Sequence, residues 1–491
     1  MSALGDQLLR RKPILFQHAS RSGEELPRTL GTFQLTMFGV GATVGTGIFF
    51  VLSEAIPKAG ASVLISFVVA AVCAGLSALC YAELSSAIPV SGSTYSYTYH
   101  ALGEFAAIVV AGCVLLEYGV STSAVAVGWS GYFNELLHSL FGFMLPTELS
   151  VSFVPGIDGE ATGGVINLPA VVLVIMCMLL LLRGASESAT INAIMVLVKL
   201  GVLVLFVIIG FSAFDADHFS NFFGQASGIS AAAGTIFFSF IGLDAVATAG
   251  EEVKNPQKAL PRAIIGALII VSAIYILVAA AGIAAKPVEF FSTDAAGEAG
   301  LAKILNDVTG STVWGTILAA GAVISIFSVT LVCLYGQTRI LFSIARDGFV
   351  PKRFLEVNPK TLTPVYNTVF VAIIVAIIAG FVPSDYLWDT VSIGTLMAFS
   401  FVAVSVMVLR RSRPDLERPF KVPLYPWVPI LTIAACVYIL AGLAPVTWVI
   451  FGCWILIVLG FYWFYGRKNA TLSRYTSEEE IAEPIPAKDE K

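Results

Sequence analysis

A run of apolar residues that crosses a bilayer has to satisfy its own backbone, and only the helix does that within one segment. The run from Leu35 to Leu52 is long enough to cross at about 1.5 Å per residue, yet its middle resists the helix. It reads Gly39-Val-Gly-Ala-Thr-Val-Gly-Thr-Gly47, four glycines in nine residues, each costing roughly 1 kcal/mol against alanine in a helix. Two readings are open. Gly41-x-x-x-Gly45 has the spacing of a helix-packing motif, which leaves the helix whole. A break at mid-depth instead frees amides and carbonyls, which is tolerated only where they line a cavity and can hold a ligand. A dinucleotide fingerprint does not fit, because the spacing is wrong and no strand precedes it. A second interrupted run, from Ile229 to Ala249, favours the break. Its centre, Ser239-Phe-Ile-Gly-Leu-Asp244, puts a glycine and a carboxylate at mid-depth. Two broken spans in corresponding places point to a transporter site.

The rest of the chain fits a polytopic membrane protein. Of 491 residues, 57% are hydrophobic and 12% charged, against about 25% charged in a soluble domain. About twelve spans are expected, near 33–52, 61–84, 104–133, 169–183, 191–214, 229–249, 262–285, 313–340, 366–382, 388–409, 427–443 and 446–465. Lys and Arg crowd alternate connections, while the loop from Asn134 to Leu168 has none. By the positive-inside rule both termini face the cytoplasm. The first span then runs outward and the sixth inward, as in an inverted repeat. The expected organisation is an N-terminal tail (1–31), a first repeat (32–215), a second repeat (228–410), two further spans (411–466) and a C-terminal tail (467–491). The seven cysteines fall within apolar spans and the four histidines are scattered, so no disulfide framework or metal motif follows.

Motifs along nearly the whole chain carry a family likeness: Gly39-Val-Gly-Ala-Thr-Val-Gly-Thr-Gly-Ile-Phe49, Cys80-Tyr-Ala-Glu-Leu84, Pro89-Val-Ser-Gly-Ser-Thr-Tyr-Ser-Tyr97, Leu116-Glu-Tyr-Gly119, Gly242-Leu-Asp-Ala245, Glu251-Glu-Val-Lys-Asn-Pro256, Tyr335-Gly-Gln-Thr-Arg339, Arg346-Asp-Gly348, Arg413-Pro-Asp-Leu416 and Arg418-Pro-Phe420. The chain resembles the amino acid–polyamine–organocation superfamily, and within it the bacterial cationic amino acid transporters. Gln34 departs from the acidic residue expected there. The resemblance implies an all-α membrane fold of the LeuT-like, 5+5 inverted-repeat kind, with helices 1 and 6 broken and two extra helices.

A free amino acid presents an anion and a cation on one carbon. The amides of Gly45, Thr46 and Gly47 open the outer half of span one, a helix N-terminus suited to a carboxylate, and the Thr46 hydroxyl is a further donor. Carbonyls at Ala42 or Thr43 and at Phe238, Ser239 and Ile241 suit the ammonium. Phe238 and Phe240 are candidates to close over the substrate, with packing as the alternative. Glu117, deep in span three, pairs with Lys199, lines the pocket or selects a cationic side chain. Asp244 ties down loose amides. Glu83, Glu251 and Glu252 are expected at an inner gate with Arg339 or Arg346. Lys199 lies roughly 12 Å from the end of its span at 1.5 Å per residue, too deep to snorkel fully, so it is a functional candidate by default. In proton-coupled relatives, the resemblance implies, a lysine here takes the place of a sodium ion. Its expected partners are span-one carbonyls and Ser325 or Ser328, with a permanent ion pair as the alternative.

These features point to a proton-coupled amino acid symporter of the cell membrane, working by alternating access. Its partners are a free amino acid, protons and the lipid bilayer, with no nucleic acid, cofactor, metal or catalytic residue. The alternatives are an exchanger or polyamine carrier, and a non-transporting sensor. An enzyme is disfavoured, because no Ser-Lys, His-rich or paired-carboxylate constellation appears.

Overall fold

The structure, a computed structural model, describes residues 7–13, 31–88, 93–156, 162–183, 189–248, 253–291, 300–358 and 363–474, with the backbone alone at Thr46, 189–193, Thr248 and 473–474. Its elements are helices: α1 (Thr32–Thr43), α2 (Thr46–Ala59), α3 (Val63–Ala87), α4 (Ser93–Ala101), α5 (Glu104–Phe141), α6 (Leu168–Leu182), α7 (Ala189–Ser212), α8 (Ile229–Phe237), α9 (Ala245–Thr248), α10 (Pro256–Ala285), α11 (Thr312–Arg346), α12 (Val365–Phe381), α13 (Ser384–Ser412), α14 (Trp427–Leu440) and α15 (Pro445–Phe461). Among the described residues, eight helical stretches are long and apolar enough to cross a membrane, and α6, α12 and α14 are shorter apolar helices.

The ends of these helices follow from their residues. Pro256 and Pro445 stand in first turns, where no intrahelical donor is lost. Asn167 caps α6 by accepting from the Ala170 amide at 3.2 Å. Gln34 acts locally as well. Its Oε1 accepts from the Gly31 amide at 2.7 Å, an amide that α1 itself cannot satisfy.

The long helix α5 runs through the middle, with α11 and α13 packed along it and α6 and α12 beside it. Hydrocarbon tails give helices no hydrophobic reason to associate, so close approach over small residues takes that part. A Cβ on Gly394 of α13 would stand 3.0 Å from the Cys113 carbonyl of α5, and one on Gly336 of α11 would stand 2.7 Å from the Tyr118 ring. On the other side, α10 packs against α3, α1 and α7. The rim is apolar and exposed, as at Leu197 and Ile208 of α7 and Leu456 and Ile457 of α15, which suits lipid.

Both ends of the described chain meet at one end of the bundle. Residues 7–13 lie against α4 and the end of α11, with Leu9 and Arg11 exposed and Lys12 turned inward. Lys12 is buried, its ammonium 2.7 Å from Asp347, and Tyr95 donates to the other oxygen of that carboxylate at 2.7 Å. Gln7 donates to the Arg467 carbonyl at 2.8 Å, and Arg10 to that of Leu472.

Candidate functional site

The first break is narrow. Helix α1 runs to Thr43, Val44 and Gly45 leave helical geometry, and α2 begins at Thr46. The irregular backbone expected around Gly41–Gly47 is confined to these two residues, and 41–43 and 46–47 are helical. In the second break α8 passes into a 3₁₀ turn over Phe238–Phe240, Ile241 is extended, and Gly242 takes φ +97° before α9. That φ is the left-handed region glycine favours.

The two breaks touch each other. A Cβ on Gly242 would stand 2.7 Å from the Ala42 carbonyl oxygen, and one on Gly47 would stand 2.5 Å from Ser239 Oγ and 2.7 Å from Ser239 Cα. Tyr275 of α10 stitches them together: its hydroxyl lies 2.9 Å from the carbonyls of both Thr43 and Ser239. One phenol proton serves two acceptors, so the pair keeps unused acceptor capacity.

Each residue expected at the site has a definite place. The Gly45 amide turns back to the Thr43 carbonyl at 2.9 Å, so the open donors at this helix start are those of Thr46, Gly47 and the residues after them. The Thr46 side chain lies outside the described residues. The Thr43 hydroxyl returns to the Gly39 carbonyl at 2.8 Å. The Phe238 carbonyl accepts from the Ile241 amide at 3.2 Å, as the Thr43 carbonyl does from Gly45, which leaves the Ser239 carbonyl as the better-placed acceptor. The two candidate lid residues part company. The Phe238 ring meets Trp388 of α13 edge-on at 4.4 Å between centroids, while Phe240 turns away onto Tyr275 at 5.4 Å.

Three buried ionisable groups flank the breaks. Lys199 of α7 is fully buried and donates to the Gly41 carbonyl at 3.0 Å, in the last turns of α1. Ser325, a candidate partner, keeps an unpartnered hydroxyl. Glu117 of α5 turns to the Thr395 hydroxyl, with the Asp244 carboxylate as its charged neighbour, and its other oxygen has no partner. Asp244 accepts from the Tyr118 hydroxyl at 3.0 Å and from Ser93 at 3.4 Å, with the amides of residues 244 and 245 beside it.

The expected gate partners of Glu83 need correction. Glu83 accepts from Arg410 at 2.8 and 2.5 Å and from the Val422 amide at 2.7 Å, with Arg418 at 3.5 Å. Arg339 instead lies over the Tyr335 ring. Glu251 and Glu252 lie outside the described residues.

Tyr275, Trp388 and Tyr118 escaped the sequence reading. Tyr118 sits inside the motif Leu116-Glu-Tyr-Gly119 beside Glu117, and that adjacency was the available signal. Tyr275 lies in a span with no charge nearby to single it out, and Trp388 stands between Asp385 and Asp389 near the start of its span, where an aromatic reads as an interfacial anchor.

Residues 30–471, nearly the whole of this helical assembly, match the profile of the family described as amino acid permease. The chain belongs to that family. Similar proteins include the branched-chain amino acid permease of Bacillus subtilis, 41% identical over 95% of this chain and 99% of that one. The methylthioribose transporter of the same organism is 38% identical over the same shares. The vacuolar cationic amino acid transporter 4 of Arabidopsis thaliana is 34% identical over 84% of this chain and 68% of its own. The permease is thus a multi-pass membrane protein of a transporter family, and its two touching breaks lie at mid-span.

Proposed function

We propose that the permease is a secondary active transporter of free amino acids that works by alternating access and is driven by protons. The observation that carries this reading is the meeting of the two breaks. Amides at the start of α2 and carbonyls at the end of α1 and of the 3₁₀ turn converge there, which suits a carboxylate and an ammonium on one carbon. On this reading the substrate carboxylate takes the amides of Thr46 and Gly47, beside Gly45. The ammonium takes the carbonyls of Thr43 and Ser239, with Ala42, Phe238 and Ile241 forming the surrounding backbone. Glu117 faces the substrate side chain.

The segments order themselves as twelve spans, α1 with α2 forming the first and α8 with α9 the sixth. Residues 32–215 and 228–410 are then the two halves of a 5+5 inverted repeat, and the Lys and Arg distribution places both termini in the cytoplasm. Lys199 is the coupling residue. Charged, it holds α1 through Gly41; neutral, it releases it. Proton binding thereby biases two conformations of α1 against α7.

Radiolabelled uptake into proteoliposomes tests this, with an inward proton gradient, no sodium and a panel of competing amino acids. Accumulation that collapses with the pH gradient is expected. Uptake that needs sodium, or that runs only in exchange for internal substrate, would overturn the coupling. Transport of methylthioribose with no amino acid in competition would overturn the substrate class, an outcome that a relative of that name makes worth including.

A further inference from the structure

One wall of the site carries polar groups that the chain itself leaves unsatisfied. Trp388, Ser392 and Thr395 recur at i, i+4 and i+7 on α13, one face of that helix. Contacts locate both ends of the stripe. The Trp388 ring lies against Phe50 of α2 at 4.9 Å and against Phe238 at the second break. Thr395, a turn beyond Ser392, sits beside Glu117 of α5. Trp388 Nε1, Ser392 Oγ, one Glu117 oxygen and, on the second break itself, Ser239 Oγ have no hydrogen-bond partner. All four residues are at most 2% exposed. Four unmade hydrogen bonds bordering two helix breaks are a poor lining for an aliphatic side chain, because each buried polar group left without a partner is destabilising. They are a good lining for a side chain that brings partners.

We infer that the permease selects substrates whose side chain carries both a hydrogen-bond donor and an acceptor, a hydroxyl or a carboxamide, over aliphatic side chains of equal size. The inference rests on the amino acid transport reading and names the substrate class of that same site. The chemistry is divided between the walls. The indole N–H of Trp388 only donates and so meets an oxygen. Glu117 accepts an O–H or N–H as a carboxylate and donates as well when it carries a proton. Ser392 and Ser239 serve either way. Sites built to hydrogen-bond a substrate group discriminate far more strongly against its loss than apolar sites discriminate between methyl groups.

Threonine and valine have nearly the same shape and differ in one hydroxyl, and asparagine and leucine make a second such pair. Competition for uptake by the unmodified protein in proteoliposomes is expected to show threonine at least about tenfold tighter than valine, and asparagine tighter than leucine. Trp388→Phe and Ser392→Ala should each narrow the threonine-to-valine ratio, whatever they do to the absolute rate. Valine binding as tightly as threonine in the unmodified protein would overturn the inference and leave amino acid transport standing. A ratio unchanged in both variants would overturn the part given to α13. If no amino acid of any kind competes, the transport reading fails and this inference with it.

Discussion

A methyl group measures how closely the two breaks approach. At Gly47 it would meet the backbone of Ser239 as well as its hydroxyl, so removing that hydroxyl cannot make room. Gly47→Ala is expected to weaken substrate affinity at least tenfold in uptake assays, and Gly47→Ala with Ser239→Gly is expected to stay impaired. Gly201 on α7 has open space where its Cβ would stand, so Gly201→Ala is the matched control and should transport normally. Tyr275→Phe asks a different question. The ring and its contact with Phe240 remain, while two carbonyls at the helix ends lose their shared donor. The Thr43 carbonyl keeps the Gly45 amide, so the Ser239 carbonyl is the buried acceptor left unsatisfied, at about 1–3 kcal/mol, and that cost falls on the arrangement in which the breaks meet. A lower thermal midpoint together with a raised KM is expected; an unchanged KM would mean the hydroxyl only braces the fold. Glycine spacing made the breaks legible in the sequence, because a glycine's cost in a helix is local. The residue that joins them was not legible, since one tyrosine among fifteen carries no mark of what it faces.

The short helix α4 lies outside the membrane-crossing stretches and carries a histidine whose protonation the fold opposes. His100 is buried, its Nδ1 2.6 Å from the Lys12 carbonyl. Burial first, and then the Lys12 ammonium, push its pKa down to about 4, with Asp347 opposing and Arg413 adding to the shift. A histidine held neutral by the fold takes up protons more readily once unfolded. Its contribution is therefore intact above its ordinary pKa and is lost as pH falls from about 6.5 toward 4, by at most about 1.4 kcal/mol per pH unit. Thermal melts of purified protein between pH 7 and pH 5 should show this slope, and His100→Gln should flatten it. An identical slope in the variant would assign it to another group. At this scale the sequence placed Glu83 at the right end of α3 but gave it the wrong partners. Several arginines share that end of the chain's spans, and only the path of the segment after α13 brings Arg410 and Arg418 to it.

For the molecule as a whole, the proposed coupling puts Lys199 between a local charge and the large motion. With α7 and α1 joined through Gly41, Lys199→Ala should uncouple the two. Residual uptake down a substrate gradient is expected, with no accumulation when a pH gradient is imposed. Accumulation with unmodified pH dependence would remove Lys199 from the coupling. The order of apolar runs was readable at this scale because membrane burial acts on every residue of a span. The docking of the first described residues was not, because a basic stretch before the first span reads as solvated until the carboxylate that receives Lys12 is known. That docking turns the two chain ends into an instrument. Gln7 reaches Arg467 and Arg10 reaches Leu472, so a donor and an acceptor fluorophore attached at the exposed positions Arg11 and Lys468 begin close together. If transport requires residues 7–13 to lift away, their energy transfer would flicker once per cycle, reporting turnover of single molecules without a label anywhere in the membrane.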